Sequence, residues 1–146
     1  MNIDPIKLFL RMSKQSKDGF SCAQMIMATA LQDEEKENAD LLRAVGGLNM
    51  GYWYNGGPCG ALTGGCCMLS YYAGKGEADE LEDPRIGEML AEYVQWFNEK
   101  AKSEYGGACC DTILDGNPDN KMIRCPMLIQ TCYLKVMEIL EKYEVL

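Results

Sequence analysis

Apolar residues recur along most of the chain at the spacing of one face of an α-helix. In the segment 34–45, for example, Ala39, Leu42 and Val45 fall on one side and charged residues on the other. No segment carries the alternating pattern and turn residues of a β-hairpin. The pattern therefore predicts an all-α fold, a compact bundle of five or six helices in a single domain spanning residues 1–146.

Capping residues and helix breakers set the predicted boundaries. Asp4-Pro5 is typical of an N-cap followed by proline at the first helical position, and Ser21 can cap a second helix. Glycine pairs at 46–47 and 106–107 end helices. The predicted helices cover residues 5–17, before a break at 18–19, and residues 22–31, 34–45, 59–72 and 84–105. The last helix runs from the Cys125-Pro126 pair to residue 143, after a short helical turn at 109–114. The stretch 48–58, centred on Tyr52-Trp53-Tyr54, is predicted to be a loop.

The net charge and the N-terminal sequence limit the binding partners and the location that we expect. The formal net charge of −8 repels phosphate backbones and anionic lipid, so we expect no nucleic-acid binding and no membrane insertion. The N-terminus lacks a basic stretch followed by an apolar run, and no stretch reaches the length of a membrane span. These features predict a cytoplasmic, reducing location, in which thiols stay free, bind metal or cycle.

The chain contains no histidine. This excludes Ser-His-Asp and Cys-His nucleophile pairs, histidine-ligated zinc sites and CxxCH attachment of haem. Any chemistry must depend on sulfur, on carboxylates or on an external cofactor.

Four of the eight cysteines lie at or near predicted helix starts, beside glycine or proline. Helix N-termini offer unpaired N–H groups and a partial positive charge, which favour the thiolate that binds metal or attacks a disulfide. Unlike the CxxC pairs of zinc fingers, these cysteines are far apart in sequence, so only folding can bring them together. They are Cys22, Cys59, Cys110 and Cys125.

The remaining four cysteines suggest other roles. Cys66 and Cys132 each follow one of the first set by seven residues, about 10 Å along a helix, and are predicted to be small core residues. Cys67 and Cys109 each adjoin another cysteine and could be a spare ligand or a resolving thiol.

The stretch from Cys59 to Gly64 reproduces a CGAxxG motif, and the chain resembles the C-GCAxxG-C-C family of redox-active proteins. Members are similar in length, with one cysteine before the motif and two after it. The resemblance implies that Cys22 is the first, Cys110 the third and Cys125 the fourth family cysteine. The module is also similar to the non-haem part of split-Soret cytochromes, which carry an additional iron–sulfur centre. The resemblance therefore implies iron–sulfur ligation by the four cysteines.

Glycines beside the motif are suited to such a centre. Gly57, Gly60 and Gly64 would let backbone approach a bulky cofactor and donate N–H groups to its sulfur atoms. The predicted function is thus electron transfer or redox sensing through a cysteine-ligated iron–sulfur or other metal centre, with an unknown redox partner protein.

Two alternatives remain open, and with them the question of whether the protein is an enzyme. One is a thiol–disulfide oxidoreductase with Cys59 as attacking thiolate and Cys22 or Cys110 as resolving thiol. The other is an interaction module with a structural zinc ion in an all-thiolate site. The aromatic loop also suggests a homodimer as a hypothesis.

Overall fold

A computed structural model describes residues 2–146, and this part of the chain is all-helical, as predicted. It has seven right-handed α-helices rather than five or six, because the short turn before the last helix closes into a helix of its own. Its only β-type pairing is an isolated antiparallel bridge between Pro58 and Cys109. The helices are α1 (Pro5–Lys17), α2 (Cys22–Asp33), α3 (Ala39–Val45), α4 (Gly60–Ala73), α5 (Ile86–Tyr105), α6 (Cys110–Ile113) and α7 (Lys121–Lys142), with 3₁₀ turns at Gly46–Leu48 and Pro118–Asn120.

The helix α2 forms the centre of the molecule. It is apolar on nearly every side, and nine of its residues are buried, which is the pattern of a helix surrounded by others. Its main neighbour is α4, and the two helices approach closely where Gly64 lies against the backbone of Ala23. The α5 residues Tyr93 and Phe97 are fully buried beneath this pair.

The predicted caps at the start of the first two helices are confirmed. Asp4 accepts a hydrogen bond from the Ile6 N–H at 2.9 Å, with Pro5 at the first helical position. Ser21 is the N-cap residue of α2, and its own N–H donates to the Gln24 side chain at 3.3 Å.

Two predicted helix boundaries are wrong. The helix α3 begins at Ala39, not at residue 34, because the Asn38 side chain caps it by accepting from the Leu41 N–H at 3.0 Å. The helix α7 begins at Lys121, directly after a 3₁₀ turn, so Pro126 lies inside it. Cys125 is consequently in the second turn of α7 and not at its start.

No described helix is long and apolar enough to cross a membrane.

We expect the close approach of α2 and α4 to be sensitive to a single methyl group. A Cβ on Gly64 would lie 2.7 Å from the Cα and 3.0 Å from the carbonyl oxygen of Ala23. Relieving this clash requires a shift of the α2 or α4 backbone, which costs free energy. Gly64→Ala should therefore lower the free energy of unfolding in urea by about 1–3 kcal/mol. Gly87→Ala is the control, because that α5 position opens into free space. There the gain in helix propensity should raise stability by up to about 1 kcal/mol, and a loss in both variants would contradict the assignment.

Candidate redox site

One cavity is lined by all four cysteines of the family pattern. Its volume is about 20 Å³, enough for one water-sized sphere. Most of its wall is buried and apolar, and its half-buried residues are Met50, Lys121 and Cys125. The lining residues are Cys22, Met50, Cys59, Gly60, Ala61, Cys110, Ile113, Leu114, Lys121, Cys125, Leu128 and Ile129.

Cys22 is positioned by the chain that follows α3. The buried Asn49 side chain accepts from the Ala23 N–H at 3.1 Å, which satisfies a free donor at the start of α2. The next residue, Met50, donates its main-chain N–H to the Cys22 Sγ at 3.2 Å. A sulfur at this position therefore receives a directed hydrogen bond from a different segment of the chain.

The segment predicted as a loop contains a left-handed helical turn. Residues 50–54 all have φ between 54° and 64°, although only Gly51 is a glycine. The left-handed conformation costs a non-glycine residue about 1–2 kcal/mol, so tertiary contacts must hold it. The Trp53 indole donates to the Gly46 carbonyl at 2.8 Å, and Gly51 packs against the Gly57 carbonyl and Cys110. This turn supplies the Met50 donor and covers the site.

Two main-chain hydrogen bonds tie Cys59 to the segment of Cys110. The Cys59 N–H donates to the Ala108 carbonyl at 2.9 Å, and the Cys110 N–H donates to the Gly57 carbonyl at 3.1 Å. They flank the antiparallel bridge between Pro58 and Cys109. Residues far apart in sequence thus start their helices side by side.

Lys121 lies one helical turn before Cys125 and forms part of the cavity wall. Its Nζ donates to the Ser21 Oγ at 3.1 Å and lies 3.4 Å from the Met50 Sδ. Lys121 and Met50 therefore meet beside the cysteines from two different elements. Both are long, unbranched side chains and both are half-buried.

Burial controls the ionisation of these thiols. Loss of solvation, and after it repulsion from the neighbouring Cys22, raises the pKa of Cys110 and of Cys125 to about 11. Burial also raises the pKa of Cys59 well above its usual value, although N–H groups at the start of α4 act in the opposite direction. At Cys59 the expected preference for thiolate is reversed, because desolvation outweighs the N–H groups at the start of α4. Cys125 does not lie at a helix start, so that stabilisation is not available to it.

The donor set suits a thiophilic metal, although the sulfur atoms are not yet arranged around one. Among residues 2–146, no three Cys, Asp or Glu side chains lie close enough together to hold a metal ion as they stand. The cavity nonetheless offers four thiols and no carboxylate, in mostly apolar surroundings, with an N–H donor on Cys22. Soft sulfur donors select iron, zinc or copper over magnesium or calcium.

The sequence of residues 20–139 matches the family model described as "Putative redox-active protein (C_GCAxxG_C_C)". The chain belongs to this C_GCAxxG_C_C family. It matches no curated protein and no solved structure. The family match confirms the resemblance found in the sequence and supports a redox role in general terms.

The three glycines of the family motif region have different surroundings. Gly60 lines the cavity, and a Cβ there would collide with the Cys22 Sγ. Gly57 supports the site from outside through its carbonyl, which accepts from Cys110. Gly64 is not part of the cavity wall and instead serves the contact of α2 with α4.

The four additional cysteines of this family member lie outside the cavity wall. Cys132 is fully buried, as predicted, and burial raises its pKa to about 12. Cys66 and Cys67 are half-buried, and Cys109 is exposed. All eight cysteines are free thiols.

Three residues near the site were not identified from the sequence. Met50 and Lys121 line the cavity, and Tyr54 is close enough for three site cysteines to raise its pKa, after the larger effect of burial. The aromatic triplet that contains Tyr54 was a visible signal. Lys121 lies one helical turn before Cys125. It could have been identified if the predicted last helix had been extended from Cys125-Pro126 towards the N-terminus.

We expect the thiols to react in an order set by exposure and pKa. In the reduced, metal-free protein, iodoacetamide at pH 8 should modify the exposed Cys109 first, as read by peptide mass spectrometry. Because thiolate is the reactive form and a pKa of about 11 replaces the usual 9.0, Cys110 and Cys125 should react about 100-fold more slowly than an unshifted thiol. Their rates should rise as the pH increases towards 11. Rapid modification of Cys110 at pH 8 would contradict this account.

The left-handed turn gives a second test. Gly51 and Gly56 both have positive φ, so alanine at either position should cost about 1–2 kcal/mol. Only at Gly51 would the Cβ also collide, 2.7 Å from the Gly57 oxygen and 2.8 Å from the Cys110 Cβ. Gly51→Ala should therefore be less stable in urea than Gly56→Ala by a further ~1–3 kcal/mol and should speed alkylation of Cys110. Equal effects of the two variants would show that the turn does not pack on the site.

Proposed function

We propose that this protein transfers electrons or senses redox state through an iron–sulfur or other metal centre held by Cys22, Cys59, Cys110 and Cys125. The observation that carries the proposal is the convergence of these four side chains on one apolar cavity. Packing alone would not require four sulfur atoms there, and the other four cysteines lie elsewhere.

The protonation of the thiols determines how a cation would bind. Burial keeps Cys59, Cys110 and Cys125 protonated at neutral pH. A thiophilic cation would displace these protons and pair with thiolate sulfur, so that binding is coupled to proton release. Bound there, iron would supply a reversible one-electron couple.

Residues around the cysteines would tune and shield such a centre. The Met50 N–H already donates to the Cys22 Sγ, and hydrogen bonds to ligand sulfur raise the reduction potential of thiolate-ligated iron. The Lys121 ammonium group would offset part of the negative charge of four thiolates. Buried apolar residues such as Ile113 and Leu128 exclude water from the remaining wall.

The volume of the cavity limits the kind of metal centre that it can hold. The present volume of about 20 Å³ has room for one ion, whereas a cluster of several iron and sulfide atoms needs more. The proposed cluster would therefore require the cavity to widen, and the half-buried Met50 and Lys121 are the flexible side chains of its wall.

Thiol–disulfide exchange is less well supported. An attacking thiol must be accessible and form thiolate readily, whereas Cys59 is buried and its pKa is raised. Structural zinc would use the same four sulfur atoms. Metal analysis separates these alternatives from the proposed centre.

We expect anaerobically purified protein to contain stoichiometric iron, with sulfide if the centre is a cluster, and to absorb visible light. Cys59→Ser should lower the iron content at least tenfold, because it removes a proposed ligand. Cys132→Ser is the matched control: it should keep iron and colour, and lose about 1–3 kcal/mol of stability because a hydroxyl replaces a buried thiol.

Three results would contradict the proposal. Zinc without colour would indicate a structural site. A metal-free dithiol that titrates at a defined potential would indicate exchange chemistry. Loss of iron in Cys132→Ser but not in Cys59→Ser would show that the wrong cysteines have been assigned.

A further inference from the structure

A larger groove adjoins the cysteine site, between α1 and the first half of α7. Its volume is about 410 Å³, within the range of pockets for small organic molecules. Cys22, Lys121, Cys125 and Ile129 line both this groove and the cysteine cavity. These side chains therefore form a wall common to the two, and a molecule in the groove would lie against site cysteines.

The two ends of the groove differ in chemistry. The helices α1 and α7 run antiparallel here, because Gln130 donates to the Pro5 carbonyl at 3.2 Å while Lys121 donates to Ser21 beyond the other end of α1. The end near Gln130 carries the aromatic ring of Phe9, and the end near Lys121 carries Lys17. The floor between them is apolar and buried, with Met12, Met25 and Ile129 at most 6% exposed.

The groove is cationic in an otherwise acidic protein. Its lining contains two charged residues, Lys17 and Lys121, and no carboxylate, although the chain as a whole has a net charge of −8. Within the described part of the chain, neither lysine is ion-paired with an acidic side chain. The lining of the groove therefore carries a net positive charge.

We infer that this groove binds a small amphipathic anion, a molecule with an apolar body and one carboxylate or sulfonate group. The apolar body lies along Phe9 and Met12, and the anionic end lies at Lys17 and Lys121, next to Cys125. This inference goes beyond the proposed function, because binding in the groove needs no metal.

A second copy of the chain is a poorer occupant of the same surface. Exposed apolar side chains do line the groove, among them Phe9 and Met122, 48% and 71% exposed. A two-fold symmetric dimer, however, would bring the same patch of both chains together, and with it two lysines from each chain and no carboxylate. Like charges in a buried interface oppose such pairing.

The test uses a pair of fluorescent probes that differ in charge. 8-Anilinonaphthalene-1-sulfonate is an apolar anion, and N-phenyl-1-naphthylamine is its neutral counterpart. We expect the folded wild-type protein to bind the sulfonate in a titration followed by fluorescence. Lys17→Met should weaken that binding about fivefold and leave the neutral probe unaffected. Lys7→Met is the matched control, an exposed lysine of α1 outside the groove, and should change neither affinity.

A second pair of variants tests the location. Ser13→Trp places a large side chain in the groove and should weaken binding of both probes at least tenfold. Ser103→Trp adds the same bulk at an exposed α5 position and should have no effect. Circular dichroism checks that both variants are folded. Should Ser13→Trp not fold, protection serves instead: the saturating sulfonate probe should slow iodoacetamide modification of Cys125 in the wild type at least threefold, and not that of Cys109.

Four results would overturn the inference. The first is equal binding by Ser13→Trp and Ser103→Trp, or no protection of Cys125. The second is sulfonate affinity that Lys17→Met leaves unchanged. The third is no binding of the sulfonate probe to the wild type at all. The fourth is a dimer in size-exclusion chromatography that binds the probes only on dissociation, which would assign the groove to a second copy.

Discussion

The burial of four thiols around one apolar cavity is the constraint on which the rest of this structure depends. A buried thiolate without a cation is unfavourable, so desolvation keeps these groups protonated at neutral pH. In the function proposed above, a thiophilic metal would bring its own positive charge and displace these protons. Without such a cation, the buried thiols are poor nucleophiles for disulfide exchange.

Several elements of the fold hold the cysteines of this site close together. The start of α2 carries Cys22 and is capped by Asn49, and the paired segments before α4 and α6 carry Cys59 and Cys110. The left-handed turn between α3 and α4 is the most strained part of the described chain. Four of its five residues, all except Gly51, are not glycine and yet have positive φ. Because its energy must be offset by packing, its position over the cysteines is consistent with a functional constraint. Its last residue, Tyr54, lies within electrostatic range of three of the thiols.

The groove beside the site gives this buried centre a side that faces solvent. Cys125 belongs to both cavities, and Lys121 reaches the groove, the cavity and Met50. An occupant of the groove would change the solvent exposure and the charge next to the sulfur atoms. Both quantities tune the potential of thiolate-ligated iron, so under the proposed function an occupant of the groove would shift the potential of the centre.

The sequence by itself determined the helical class, the caps at Asp4 and Ser21 and the four family cysteines. Periodicity and capping are local, and a motif with ordered cysteines is visible in one dimension. Tertiary structure alone decided the left-handed turn, the start of α7 at Lys121 and the direction of the thiol pKa shifts. The physical reason is the same in each case. A helix start favours thiolate through local N–H groups, whereas burial of Cys110 depends on chain segments that are distant in sequence, and desolvation is the larger effect.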